Sequence, residues 1–170
     1  LVSYKKGGTE YINQKPASGV KGFAPYVFRA PLDNDRPFTE KWTKAGLDNI
    51  EVVPDGFDVC ISGNCACIAS IFALRGNKKD LFECIVDYRI SPIGEVKVRA
   101  ILNKVVDEKL DLPRFGLTLE MPEEFRNIEY YGMGPDENLS DMYAQSIVGV
   151  YNTTVEEMDE ELIRRWNNKV

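Results

Sequence analysis

The stretch Glu95-Val96-Lys97-Val98-Arg99-Ala100-Ile101-Leu102 alternates apolar and polar side chains almost residue by residue. Its apolar side chains fall on one face of an extended chain, because successive side chains of a strand point to opposite sides. Residues 50–53, 57–62, 65–74, 81–90 and 115–121 are also predicted to be strands, some alternating and some, such as 65–74, almost continuously apolar. Turn residues separate these segments at roughly 10-residue spacing, which is typical of a sandwich or barrel. The sequence therefore predicts an all-β, mainly antiparallel fold.

Weaker signals on both sides of this region complete the prediction. Residues 1–6 and 9–12 form a hairpin pattern around Gly7-Gly8. A short helix is predicted over residues 39–45, closed by Gly46. Two more strands are expected at 127–131 and 147–151, and a charged amphipathic helix at 156–166. A chain of 170 residues suits a single domain over 1–170.

Composition excludes several classes of function. The net charge is −6, which argues against nucleic acid or an anionic membrane as a partner. No apolar run approaches the roughly 20 residues of a membrane span. The chain has no histidine, so it cannot build a Ser-His or Cys-His nucleophile pair.

The four cysteines do not follow a zinc-binding spacing. Cys65 and Cys67 lie two residues apart in a predicted strand and so share one face of it. We expect buried free thiols, which favour a cytoplasmic location.

A polar corner follows an aromatic run in the first quarter of the chain, Phe28-Arg29-Ala30-Pro31-Leu32-Asp33-Asn34-Asp35-Arg36. Pro31 restrains the backbone, and Asp and Asn side chains bond readily to nearby backbone groups. Two arginines bracket the acceptors, which suits a local cluster of ion pairs or contact with a polar surface. We favour a structural corner over a ligand site.

A second loop pattern occurs at Gly132-Met133-Gly134-Pro135-Asp136-Glu137-Asn138. Glycine-rich loops can hold phosphate through their backbone amides. This segment carries two acidic residues and no Lys or Arg, so an anion site is not expected there.

Together with Leu112-Pro113-Arg114-Phe115-Gly116-Leu117 and Gly149-Val150-Tyr151, these segments resemble one family in their order and spacing. It is the C-terminal small domain of the glycoside hydrolase family 2 β-galactosidases, and the resemblance runs from about residue 1 to about residue 158. It implies a β super-sandwich like the galactose-mutarotase fold, packed beside a (β/α)8 barrel. That barrel holds the two carboxylates of a retaining hydrolysis of terminal β-galactosides.

The resemblance implies no catalytic residue in this chain. It places a loop at the rim of the substrate site, for which the candidates are Asp33, Asn34, Asp35, Arg36 and Phe38. The second motif supplies Gly132, Gly134, Pro135, Glu137 and Asn138 as family-motif positions. No cofactor or metal is expected in this chain; the family uses Mg and Na ions at sites elsewhere. The implied partners are the catalytic barrel, the other domains, the galactoside substrate and possibly further copies in a homo-oligomer.

The resemblance ends in the last part of the chain. Family members continue with further strands, whereas residues 156–170 form a helical tail outside the pattern. The chain also begins at Leu1 rather than Met, so we expect a piece of something larger.

Two other functions remain open. A stand-alone carbohydrate-binding or interaction module would use aromatic residues such as Tyr130, Tyr131 and Tyr143, although strand aromatics are more often core. An acid/base enzyme would pair Asp33 with Asp35, or Asp136 with Glu137. Neighbouring carboxylates in turns are more often caps.

Overall fold

A computed structural model describes residues 1–17, 19–107, 109–135, 144 and 146–158. Its contacts divide the chain into two units, Leu1–Pro122 and Glu123–Val170. Among the described residues no helix has the length and apolar character needed to cross a membrane.

The first unit is built on four long antiparallel strands in sequential order. They are β4 (Glu51–Ser62), β5 (Cys65–Gly76), β6 (Lys79–Ile90) and β7 (Val96–Lys104). Four short strands described in this unit lie outside the sheet. Three come earlier in the chain, β1 (Lys5–Lys6), β2 (Thr9–Glu10) and β3 (Ala24–Tyr26), and one comes later, β8 (Gly116–Thr118). β1 pairs with β2, and β3 with β8, both antiparallel. The single α-helix described, α1 (Arg36–Ala45), lies between two 3-10 turns at Asp33–Asp35 and Leu47–Asn49.

One face of the four-stranded sheet forms the core of this unit. Alternate residues of β6 are almost fully buried, as the period of two requires. Trp42 of α1 and Leu47 pack into the same cluster. The buried members are Val27, Trp42, Leu47, Leu74, Leu81, Phe82, Cys84, Val86, Tyr88 and Val106.

Three apolar residues of the edge strand β4 are exposed rather than buried. Phe57, Val59 and Ile61 lie opposite Ser70, Ile68 and Ala66, on the core side of the sheet. Their exposed fractions are nevertheless 77%, 55% and 75%. The core face of the sheet therefore ends in an uncovered apolar stripe.

The second unit contains an antiparallel pair, β9 (Asn127–Gly134) and β10 (Ile147–Thr154). Thr154 and Glu157 bond reciprocally after β10, Glu157 Oε2 accepting from the Thr154 amide at 2.9 Å and the Glu157 amide donating to Thr154 Oγ1 at 3.3 Å. This arrangement is a capping box, which marks a helix start. The rest of the predicted helix at 156–166 lies outside the described residues.

The predicted all-β, mainly antiparallel sandwich class is confirmed, and so are the strands and the first hairpin. Several boundaries were wrong. The two predicted strands at 50–53 and 57–62 form one strand, Glu51–Ser62, with a bulge between Pro54 and Gly56 that leaves Asp55 without a register partner. Proline is tolerated on an edge strand and beside a bulge. The helix starts at Arg36 rather than at residue 39, since Pro37 fits a first helical turn.

Two further expectations were wrong. Gly132, Met133 and Gly134 belong to β9 rather than to a loop, because they pair in register with β10. Burial was correct for Cys84, but Cys65 and Cys67 are half-buried and Cys60 is exposed, because these three lie on the face of the sheet opposite the core.

Candidate functional site: the corner at residues 28–38

The corner is held by a buried ion pair. Arg29 contacts the Asp35 carboxylate with both terminal nitrogens, Nη1 to Oδ2 at 2.5 Å and Nη2 to Oδ1 at 3.1 Å. The side chains are only 24% and 12% exposed. This two-point geometry fixes the direction of both side chains, as is typical of Arg–carboxylate pairs.

Asp35 also bonds to the backbone of the turn it closes. The Leu32 amide donates to Asp35 Oδ2 at 2.7 Å, and the Asp35 amide donates to the Leu32 carbonyl at 2.9 Å. Thr39 Oγ1 donates to the Asp35 carbonyl at 3.0 Å, which joins the turn to α1. These hydrogen bonds join the two ends of the turn to each other and the turn to α1.

The pKa of Asp35 reflects two opposing influences. Burial, the largest single influence, raises the pKa, but the hydrogen bonds from Arg29 and Leu32 together outweigh it. The pKa is therefore below the ordinary value of an aspartic acid. Asp35 is a charged structural anchor near neutral pH.

The remaining candidates are presented outward from this anchor. Asp33, Asn34, Arg36 and Phe38 are all exposed. Arg36 Nη2 lies 2.8 Å from Asp33 Oδ1, with both side chains largely in solvent. Asp33 and Asp35 each face an arginine rather than each other, so they do not form the pair of carboxylates that the acid/base alternative requires.

Phe38 is supported from below by the core. Its ring stacks on Trp42 with centroids 6.1 Å apart and an interplanar angle of 18°. Trp42 is buried, and its Nε1 donates to the Asp111 carbonyl at 2.7 Å. Phe38 itself is 38% exposed, so one face of a firmly seated ring reaches solvent.

The second motif serves a different purpose in the structure. Tyr130 and Tyr151 are cross-strand partners, with ring centroids 5.4 Å apart. Tyr130 Oη donates to the Pro135 carbonyl at 3.0 Å, and Tyr151 Oη donates to the Ile147 carbonyl at 2.7 Å. Both rings therefore lean along their strands over neighbouring residues.

Glycine leaves room for these rings. A Cβ at Gly134 would lie 2.9 Å from Tyr151 Cδ2 and closer still to Tyr130 Oη. Gly132 and Gly149 face each other between the tyrosines and Gly134. The glycines of this motif thus seat two tyrosines rather than a phosphate.

The other motif positions, Glu137 and Asn138, lie outside the described residues, as do Asp136 and Tyr143. Within the described part of the chain, no group of three or more His, Cys, Asp or Glu side chains is placed to hold a metal ion.

Sequence reasoning missed the Trp42–Asp111 bond and the paired tyrosines. No local pattern signals either contact, because the first joins residues 69 positions apart. Tyr151 belonged to a quoted motif, but its role depends on its register opposite Tyr130.

Comparison with known proteins identifies the family. A family model described as "Beta galactosidase small chain" matches residues 1–166. The chain belongs to this β-galactosidase small-chain family.

Individual relatives agree. A β-galactosidase of Streptococcus thermophilus is 31% identical over 164 residues, covering 92% of this chain and 14% of the relative. One from Halalkalibacterium halodurans is 27% identical over 168 residues, covering 92% of this chain and 15% of the relative. One from Lactococcus lactis subsp. lactis is 27% identical over 141 residues, covering 76% of this chain and 14% of the relative. The small-chain sequence thus spans about one seventh of these relatives.

Proposed function

We propose that this chain is a non-catalytic domain of a family 2 β-galactosidase that hydrolyses terminal β-D-galactosides with retention. The carboxylates of that reaction belong to a catalytic barrel outside this chain, as do the Mg and Na sites. Membership of the small-chain family supports this proposal, together with the one-seventh share of the relatives' length. The parent would act in the cytoplasm and assemble with other domains or copies.

In this proposal the corner shapes the rim of the substrate site. The observation that supports this role is the set of side-chain groups at the corner that remain available to a ligand. The charges of Asp33 and Asp35 are already opposed by arginines, so the corner has no free charge pair to offer. What it presents is the Asn34 amide and the stacked ring of Phe38.

These groups suit an uncharged sugar. An amide both donates and accepts, which matches the hydroxyls of a galactoside. An aromatic face packs against the C–H face of a sugar ring without needing charge. Trp42 holds the Phe38 ring, and Asp35 closes the turn that carries Asn34, which reduces the ordering cost of binding.

The first test uses Asn34→Ala and Phe38→Ala in the full-length enzyme. We expect KM to rise roughly three- to tenfold, equivalent to about 1 kcal/mol of lost binding, with little change in kcat. The control is Lys41→Ala, an exposed position on α1 that should leave KM unchanged. Unchanged KM in both corner variants, at the parent melting temperature, would refute the rim role.

A carbohydrate-binding module is the second candidate, favoured by the 78% exposure of Tyr131. Tyr131 shares its face with Met133, Val148 and Val150, which are also exposed. This apolar set suits packing against protein better than binding a sugar, whose hydroxyls need hydrogen-bond partners. Saturable quenching of tyrosine fluorescence by galactosides, lost in Tyr131→Ala, would favour the module instead.

A further inference from the structure

Three cysteines lie on one face of the β4–β5 hairpin, close to its Gly63-Asn64 turn. Cys60 and Cys67 are directly opposite each other in the antiparallel register. Cys65 is two residues before Cys67 and therefore on the same side of the sheet. All three are free thiols in the structure.

The relative positions select one pair. Opposite residues in an antiparallel pair have Cα atoms about 4.5–5.5 Å apart, within the range of about 4.4–6.8 Å found for disulfides. Burial and the neighbouring Cys67 side chain both raise the pKa of the Cys60 thiol, and the two side chains line the same surface groove. Joining these two sulfur atoms therefore requires only a small local adjustment.

The other thiols are poorly placed to compete. Cys65 is diagonal to Cys60, and such Cα pairs are about 7–8 Å apart. Its thiol instead acts on Arg89 of β6, whose pKa it raises. Cys84 lies on the opposite face of the sheet and is fully buried.

Access favours reaction at this pair. Cys60 is exposed on the edge strand, and Cys67 is half-buried beside it. Both line an open surface groove together with Asp58, Ala69, Asp87 and Arg89. A small reagent can therefore reach Cys60 from solvent.

We propose that Cys60 and Cys67 form a reversible dithiol–disulfide site that exchanges with low-molecular-weight disulfides such as oxidised glutathione. This inference does not depend on the proposed galactosidase role. One protein thiolate attacks the reagent, forming a mixed disulfide and releasing one small thiolate. The second protein thiolate attacks the bound protein sulfur, closes the Cys60–Cys67 bond and releases the second small thiolate.

The exchange balances without a further reactant. Two protein thiols are oxidised, one small disulfide is reduced to two thiols, and the two protein protons pass to the released thiolates. The reverse exchange with reduced glutathione reopens the bond. A cross-strand bridge closes only a short loop and distorts the pair slightly, which keeps it reducible.

The experiment uses the full-length protein that carries this sequence. It is equilibrated with oxidised and reduced glutathione, quenched in acid, unfolded, alkylated with N-ethylmaleimide and digested with trypsin. Cleavage after Lys44 and Arg75 gives one peptide, 45–75, that contains Cys60, Cys65 and Cys67. Cys84 falls in a separate peptide and serves as an internal reference.

We expect oxidation to reduce the maleimide count of peptide 45–75 from three to one, with the label on Cys65. Cys65→Ser should retain the bridge, whereas Cys60→Ser and Cys67→Ser should each abolish it. Repeating the exchange in urea should spread the pairings over all three thiols, because the strand register is then lost. The proposal is overturned by three labels after oxidation, by a bridge to Cys65, or by equal pairing in folded and unfolded protein.

Discussion

Asp35 shows how one side chain can define a corner of the backbone. Its carboxylate accepts from the Arg29 guanidinium and from the Leu32 amide, while its own carbonyl accepts from Thr39. The charge remains on Asp35 because these donors outweigh the penalty of burial, which lowers its pKa overall. Asn34 belongs to the turn that Asp35 closes, and the bond from Thr39 joins that turn to the helix that carries Phe38.

Asp35→Asn should therefore loosen the corner in the full-length enzyme. The substitution removes the charge of a mostly buried pair and should cost about 2 kcal/mol locally, within the range for hydrogen bonds to charged groups. Amide hydrogen exchange in residues 28–38 should become roughly 30-fold faster, since local opening follows this free energy. Exchange followed by mass spectrometry measures this in an enzyme of any size.

Asp33→Asn is the matched control. Its pair with Arg36 is exposed, so the loss should stay within about 0.5 kcal/mol and leave exchange nearly unchanged. Equal acceleration in both variants would contradict the anchoring role of Asp35.

Part of the arrangement of the corner could be predicted from the sequence. Arginines on both sides of three acceptor-rich residues predicted either a cluster of ion pairs or contact with a polar surface, and the described corner contains two ion pairs. Which arginine faces which carboxylate depends on the 3-10 turn at Asp33–Asp35, which places Asp35 inward and Asp33 outward. That turn is too short to leave a periodic signal.

At the scale of elements, the β9–β10 pair shows why a glycine motif need not be a loop. Gly132, Gly134 and Gly149 lie within strands, where glycine is normally unfavourable. The absent side chains of Gly134 and Gly149 make space for Tyr130 and Tyr151, whose hydroxyls bond to carbonyls further along the backbone. The motif therefore stabilises a tyrosine pair.

This account predicts different outcomes for two glycines of the same strand. Gly134→Ala places a Cβ 2.9 Å from the Tyr151 ring and should cost about 1–3 kcal/mol through overpacking. Gly132→Ala places it 3.7 Å from Tyr130, an ordinary contact, and should be nearly neutral. Melting temperature and hydrogen exchange over residues 127–154 distinguish them. Equal effects of the two substitutions would mean that the tyrosines do not set the requirement for glycine.

Strands were predictable because alternation is a local property, but the order of strands is not. Nothing in residues 51–62 indicates that β4 has only one neighbour among the described strands. That edge position explains why the apolar residues of β4 lack cover. Exposure at an edge follows from topology and cannot be read from local pattern.

At the scale of the whole molecule, the uncovered apolar stripe of Phe57, Val59 and Ile61 matters most. Exposed apolar patches of this kind commonly mark packing against another protein surface. The chain spans about one seventh of its β-galactosidase relatives, so another domain of the parent is the occupant we propose. Charged Asp58 lies between the apolar residues on the opposite face of the same strand.

Replacing Phe57 and Ile61 together by Ser and Thr tests this packing. If the parent covers the stripe, each side chain buries apolar area worth about 1.5–3 kcal/mol, and the full-length enzyme should lose several degrees of melting temperature. Asp58→Ser is the control, because it changes the same strand on the other face and should have little effect. Without a covering domain the apolar side chains remain in water, and the double variant should then melt no lower than the parent. That result would place the domain interface on another surface of the chain.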